Sequence, residues 1–319
     1  MNHRRAVLVA AALGAAWSLS GCAIPGVRTG AAQPSRLSLD SAEAAMPEAM
    51  AQLFGFADPI DFLLLGEVHD HPLQHRLRAA WLETLARRGR FVLAMEQYDA
   101  SRQADIDAAR ARGSGPREIA QASGFEFRGW DWELYEPYVE LALRHDLPLV
   151  GANLSTSRAR AIARGEPDAM AGIEPGGWSD EDRERLAEDI RVGHCGMLPP
   201  ATIEPMASAQ RARDATMARA LVDGRRACGL PVVLLAGNGH VRRDLGVPRY
   251  LRDLAPRARV FSLGLVERSE GKESSEEGAP SPRDEGALSP FDLTIETPAH
   301  PRPDPCEAFR KRPRPAGTG

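Results

Sequence analysis

Apolar residues in this chain gather into short continuous runs bounded by turn residues, without strict alternation. Five recur: Asp61–Gly66, Arg90–Met95, Leu147–Gly151, Pro231–Ala236 and Arg259–Gly264. Runs of this kind read as strands covered on both faces, the mark of a parallel sheet. Helical patterns lie between them at Pro72–Arg88, at Pro137–His145, and over a long stretch from about Ser179 to Val222 that breaks at Gly193-His194-Cys195-Gly196. The order predicts an α/β fold, a mostly parallel sheet flanked by helices. Gly151 to Pro231 is too long for one crossover helix, so a helical subdomain is expected at about 152–230, near the C-terminal ends of the strands. Residues 268–290 are acidic and rich in Ser, Gly and Pro, which predicts a solvated loop. Phe291–Glu296 resumes an alternating strand, so that loop should join two neighbouring strands. The basic, Pro-rich residues 310–319 predict a frayed tail.

The N-terminus breaks from this pattern. Arg4 and Arg5 precede an apolar run from Ala6 to Ala16, and Leu19-Ser20-Gly21-Cys22 follows. That is the layout of a secretory signal, and the last four residues look like a bacterial lipobox. The resemblance implies a signal peptide over 1–21, cleavage before Cys22, and diacylation of its thiol with fatty chains such as palmitate, two or three chains being enough for stable membrane anchoring. Residues 22–36, rich in Gly, Pro and Ala, predict a flexible tether, and the folded domain is expected over 37–309. Ala23 after the lipidated cysteine favours the outer membrane by resemblance to enterobacterial lipoproteins.

Composition narrows the function classes. The 319 residues carry 40 Lys+Arg against 44 Asp+Glu, a formal charge of -4, so no basic excess argues for nucleic acid. Apart from Cys22, the cysteines are Cys195, Cys228 and Cys306, which allow one disulfide at most, with no C-x-x-C to suggest zinc or redox exchange. Their spacing does not indicate which two would pair. Nor is there a nucleophile elbow, a phosphate-binding Gly-Lys-Ser/Thr loop or a dinucleotide fingerprint.

The candidate chemistry is positional. The first four runs end in Glu67, His69 and Asp70; in Glu96, Gln97, Tyr98 and Asp99; in Asn153; and in Asn238 and His240. Ligands of open parallel sheets sit beyond the carboxyl ends of the strands. Polar residues also end strands simply because loops are polar, but four consecutive strand ends argue for a shared site. A Glu with a His can activate water, bind a metal or orient a haem ligand, and the residues alone leave these open. His71 and His75 form an H-x-x-x-H, but Pro72 makes His71 a helix cap instead of a partner in a zinc helix. His145 suits a helix C-terminus. Gln210 and Asp214 share a helical stripe with Met217 and Leu221, which suggests that this stripe faces a polar site. The turn at residues 193–196 presents His194 or Cys195.

The ordered set Gly66-Glu-Val-His-Asp70, Met95-Glu-Gln97, Tyr135-Glu-Pro137, Asn153, Gly193-His-Cys195, Arg213-Asp214, Gly237-Asn-Gly-His240, Gly246-Val-Pro248 and Asp304-Pro-Cys306 resembles the ChaN family of haem-binding, iron-uptake lipoproteins, in the superfamily of Tiki peptidases and erythromycin esterases. The resemblance covers about Leu37 to Phe309. It implies haem as cofactor and ligand, an outer-membrane lipid anchor, and a homodimer burying stacked haems. It places Glu67, His69, Glu96 and His240 at the superfamily's active-site positions, catalytic only if the protein is a hydrolase that activates water with or without a divalent metal. The candidates for holding haem are these four with Tyr98, Tyr135, Tyr138, Tyr250 and His194. Tyrosinate ligation of ferric haem would need a nearby Arg or His to lower the phenol pKa.

Overall fold

The computed structural model describes residues 35–37, 60–174, 176–268 and 289–310. The expected signal peptide, Cys22, most of the tether, most of the acidic loop and the tail beyond Arg310 lie outside the described residues. Residues 34–319 form one compact unit that contains every described strand and core cluster.

Seven parallel strands make one sheet in the order β1-β7-β6-β2-β5-β3-β4. They are β1 (Ser35–Leu37), β2 (Phe62–Leu65), β3 (Val92–Asp99), β4 (Leu149–Asn153), β5 (Val232–Leu235), β6 (Val260–Glu267) and β7 (Leu293–Thr297). Ser35 and Arg36, at the end of the expected tether, pair with Leu293 and Thr294. β6 and β7 are neighbours, as the intervening loop required.

Alternate residues feed two cores, as the pleat dictates. Leu63, Leu65, Leu93, Met95, Val233 and Leu235 face one side, with the aromatic cluster of Phe125, Trp132, Tyr135 and Tyr138. Phe62, Leu64, Val92, Ala94, Val232 and Leu234 face the other, with Met217, Leu221 and Tyr250. The first layer holds α1 (Pro72–Arg88), α2 (Gln103–Ala111), α3 (Pro116–Ala122) and α4 (Trp132–Arg144). α1 starts where the sequence places it, with Pro72 in the first turn and His71 as its cap. α4 starts five residues before Pro137, because the Asp131 side chain caps the backbone N–H of Glu133 and outweighs proline as a start signal.

The insertion between β4 and β5 is helical: α5 (Thr156–Ala163), α6 (Asp180–Gly193) and α7 (Pro200–Cys228). α7 packs on β3, β4 and β5, running on past Val222 to Gly229, whose φ of 66° ends it in the left-handed region. Gly224 in its last turns fits against Val150 and Val92, where a Cβ would stand 3.2 Å from the nearer valine methyl. α7 is therefore the crossover helix itself, and its middle turns reach the carboxyl ends of the strands. Two short helices, α8 (Asn238–Val241) and α9 (Val247–Leu254), follow β5, and α10 (Pro305–Arg310) ends the described chain. No helix among the described residues is long and apolar enough to cross a membrane.

Cys195 pairs with Cys306, and Cys228 is free and exposed. The bridge ties the turn after α6 to α10 across 111 residues of sequence. Between β7 and that bridge the chain crosses the strand ends. There His71 Nε2 donates to the Pro298 carbonyl at 2.8 Å, and Arg302 binds Asp70 at 2.9 Å and Glu267 at 2.7 Å.

Candidate functional site

Because β5 lies between β2 and β3, the ends of β2, β5, β3 and β4 stand side by side. They carry Glu67, His240, Glu96 and Asn153 into one crevice. Two clusters form there.

The first surrounds Glu67, which is buried. Its Oε1 accepts from the Tyr135 hydroxyl at 2.7 Å and from His69 Nδ1 at 2.9 Å. Its Oε2 faces His75 Nε2 at 3.3 Å and is ion-paired with the fully buried Arg78. Arg78 also donates to the Leu65 carbonyl at 3.2 Å and to the Tyr138 hydroxyl at 3.1 Å. His75 Nε2 donates to the His69 carbonyl, which leaves Nδ1 to face the Tyr138 hydroxyl at 2.9 Å. Burial lowers the His75 pKa to about 4, so this ring is neutral.

His69 connects this cluster to solvent. Its side chain is 43% exposed, while the Glu67 beneath it is fully covered. Donation from Nδ1 to the carboxylate leaves the Nε2 lone pair unshared with Glu67. Desolvation, partly offset by Glu96, lowers the His69 pKa and favours the neutral ring. Trp130 stands edge-on at 4.7 Å between centroids. Gly237 keeps room for the ring, since a Cβ there would fall 2.7 Å from His69 Nε2.

The second cluster centres on His240, buried between Glu96 Oε1 at 3.3 Å and Asp214 Oδ1 at 2.6 Å. The Gln210 amide stands 3.1 Å from the same imidazole, and the backbone N–H of Gly237 donates to Glu96 Oε2 at 2.7 Å. Burial opposes the charge on His240, but Glu96 and Asp214 outweigh it and raise its pKa to about 10. Burial likewise opposes the Glu96 carboxylate, yet His240 holds its pKa well below the usual range, while desolvation lifts Asp214 to about 6. At neutral pH His240 is thus an imidazolium, a donor and not a base.

Above this cluster opens a cavity of about 610 Å³, lined by Glu96, Gln97, Tyr98, Trp130, Asn153, Arg213 and His240 among others. Tyr98 is among its lining residues, and the buried Tyr98 hydroxyl has no hydrogen-bond partner among the described residues.

The expected residues therefore separate. Glu67, His69, Glu96 and His240 converge, and Gln210 and Asp214 join them from α7. Tyr135 and Tyr138 lie beneath His69, in the Glu67 cluster. All four tyrosines are buried, and desolvation raises each phenol pKa, the reverse of what tyrosinate ligation requires; Tyr98 alone borders the cavity. Tyr250 sits apart: its hydroxyl accepts from Trp178, and it lines a second cavity of about 710 Å³ beside β4. His194 caps α6, its Nδ1 donating to the Ile190 carbonyl at 2.7 Å, and does not line the cavity. His145 ends α4 and bonds Glu83, a structural place. No group of three or more metal-ligating side chains is found among the described residues. Sequence reasoning missed Arg78, whose neighbours at i,i+4 spacing, Gln74 and the core residue Leu82, held no signal, and Arg213, which neighbours Asp214 in the motif and whose guanidinium reaches Asn153 Oδ1 at 3.0 Å.

A family model described as haem-binding uptake, Tiki superfamily, ChaN matches residues 57–251. Among solved structures, ChaN of Campylobacter jejuni with cofacial haem is 23% identical, covering 71% of this chain and 86% of that one, with a TM-score of 0.58. An erythromycin esterase mutant in its open conformation is 14% identical over 69% of this chain and 72% of that one, TM-score 0.38. A type III effector, HopBA1, is 13% identical over 80% and 92%, TM-score 0.42. The first likeness establishes the shared fold, and the other two are too loose to bear on function. No curated protein matches the chain.

Proposed function

The chain belongs to the ChaN family of haem-binding uptake proteins in the Tiki superfamily, and on that premise we propose that it binds haem at the cavity beyond the strand ends. A volume of about 610 Å³ is in the range of small-molecule sites. The observation that carries the reading is His69: a half-exposed imidazole whose Nδ1 is tied to a buried carboxylate and whose Nε2 is left as a lone pair. Imidazoles that ligate metals are oriented by such a second hydrogen bond. Haem, when bound, would supply an iron that takes a nitrogen or oxygen ligand from the protein. His69 is not itself in the cavity lining but stands against Trp130, which is; from there it would hold that iron, and Glu67 would fix its tautomer. Tyr98 is the tyrosine alternative, because it alone of the four lines the cavity and its hydroxyl has no hydrogen-bond partner among the described residues.

The finer reading follows from the N-terminal pattern. We propose a lipoprotein anchored through Cys22 in the cell envelope, at the outer membrane, serving haem or iron uptake and pairing as a homodimer. The Cys195–Cys306 disulfide supports an oxidising compartment. Replacing Cys22 with Ala should leave the fold intact and abolish membrane retention, whereas labelled palmitate on that variant would contradict the anchor.

A second reading is favoured by the neutral His69 beside Glu96 and a charged His240. In this hydrolase, His69 draws a proton from water while His240, a cation whose two N–H groups are held by Glu96 and Asp214, offsets the developing negative charge through space, with or without a divalent metal. Hemin titration separates the two. Residues 34–319 should give a saturable Soret shift. A spectrum identical to hemin in buffer, together with turnover of ester or peptide substrates that is lost in His69→Ala, would put the hydrolase ahead.

A further inference from the structure

His69 stands on the turn between β2 and α1, which is held from two sides. From α1, Gln74 Oε1 accepts from the Val68 N–H at 2.7 Å and His75 Nε2 donates to the His69 carbonyl at 2.9 Å; within the turn, the His71 N–H donates to the Val68 carbonyl at 3.0 Å. The other hold comes from the C-terminal segment that crosses the strand ends. His71 Nε2 donates to the Pro298 carbonyl, and the His71 and His300 rings lie 5.6 Å apart. Arg302 reaches the turn itself: its Nε and NH2 each meet an oxygen of Asp70, the residue after His69, at 2.9 Å. The same guanidinium donates to both oxygens of Glu267, at 2.7 and 2.8 Å, at the end of β6, the neighbour of β2. One planar fork thus ties the turn to an adjacent strand end.

The segment that carries Arg302 is built to stay where it is. Pro298, Pro301, Pro303 and Pro305 fall within residues 298–305, and proline fixes φ and pushes the residue before it into extended backbone, so this stretch is a stiff strap. It is anchored at both ends, by β7 in the sheet and by the Cys195–Cys306 bridge beyond Arg302. Stability alone does not account for the fork. The Asp70 side chain is 60% exposed, and ion pairs in that setting contribute little to folding. What a bidentate contact on a stiff support does supply is position. Arg302 is absent from the cavity lining, so any influence on a ligand there passes through the turn.

We propose that Arg302 is a positioning residue for the ligand: by clamping Asp70 to the C-terminal strap, it sets where the His69 ring stands beside the cavity. This rests on the haem reading, in which His69 holds the iron. Glu67 orients the ring from below, and Arg302 fixes the backbone that carries it from outside.

The test uses residues 34–319 as wild type, Arg302→Gln, Asp70→Asn, the two together, and Arg302→Lys, each read by hemin titration, amide hydrogen exchange without ligand, and urea unfolding. Arg302→Gln should weaken hemin binding roughly 10-fold, the lower end for outer partners of a metal ligand, with its urea midpoint close to wild type. Asp70→Asn should do the same, and the pair together no more than either alone, since both break one link. Arg302→Lys keeps the charge without the fork and should fall between. The Val68 and His71 N–H groups should exchange faster in Arg302→Gln. Wild-type hemin affinity in Arg302→Gln would overturn the proposal, as would additive losses in the double variant or a loss matched by a fallen urea midpoint. If wild type binds no hemin, the haem reading fails and exchange decides alone. Faster exchange at Val68 and His71 in Arg302→Gln, with the urea midpoint unchanged, keeps the hold of Arg302 on the His69 turn, and wild-type rates remove it.

Discussion

Glu67 and Glu96 end strands separated only by β5, and each bonds a histidine, yet their surroundings push those histidines in opposite directions. Around Glu67 the counter-charge is Arg78, a permanent cation, so His75 needs no charge and burial keeps it neutral, its pKa lowered to about 4. Around Glu96 no arginine is ion-paired among the described residues, Arg213 acting only through space, a second acid stands on the far side of the ring, and His240 supplies the paired cation, its pKa raised to about 10. The first cluster is a sealed foundation on which the half-exposed His69 is mounted. The second opens on the cavity. The same pair of residue types thus serves as scaffold or as site, depending on where the compensating charge comes from.

Removing that compensating charge breaks the comparison most severely. Arg78→Met leaves a buried carboxylate without its cation, and urea unfolding should show a loss of about 3–5 kcal/mol. A loss under about 1 kcal/mol would mean that Glu67 is not the charged centre described here. Next comes the bridge that holds the C-terminal crossing over the strand ends. Cys306→Ser, or reduction of the wild type, should cost about 2–4 kcal/mol in a thermal or urea melt.

A pH series sharpens the contrast between the histidines. The folded pKa of His240 is raised, so its stabilising contribution is complete below the unfolded value of about 6.5 and is lost as pH rises toward 10. Stability should fall across that window, with a limiting slope of about 1.4 kcal/mol per pH unit, and His240→Gln should flatten it. His75 has the opposite sign. Its depressed pKa gives stability that is complete above about 6.5 and lost as pH falls toward 4, a loss that the raised pKa of Asp214 partly offsets. His69→Ala should have the smallest effect on folding, about 1 kcal/mol or less, because the ring is half exposed and makes one hydrogen bond to Glu67.

The sheet was legible because five apolar runs each carried their own turn boundaries, and even the break in the long helical stretch fell at Gly193–Gly196. α2 and α3 were not: their inward stripes amount to Ile106, Ala109, Ile119 and Ala120, too short for periodicity to register. The strand-end rule found Glu67, His69, Glu96 and His240. It could not rank the tyrosines, because a phenol under a helix and a phenol at a cavity wall look alike in sequence. Nor could it find Arg78, since a buried arginine is recognised only by the carboxylate it meets across 11 residues of chain.

The account stands most directly on His69. Residues 34–319 with His69→Ala, loaded with hemin, should lose the wild-type Soret position and recover it when free imidazole is added to fill the place of the ring. A wild-type spectrum in the variant before any imidazole is added would contradict the assignment and pass the iron to Tyr98.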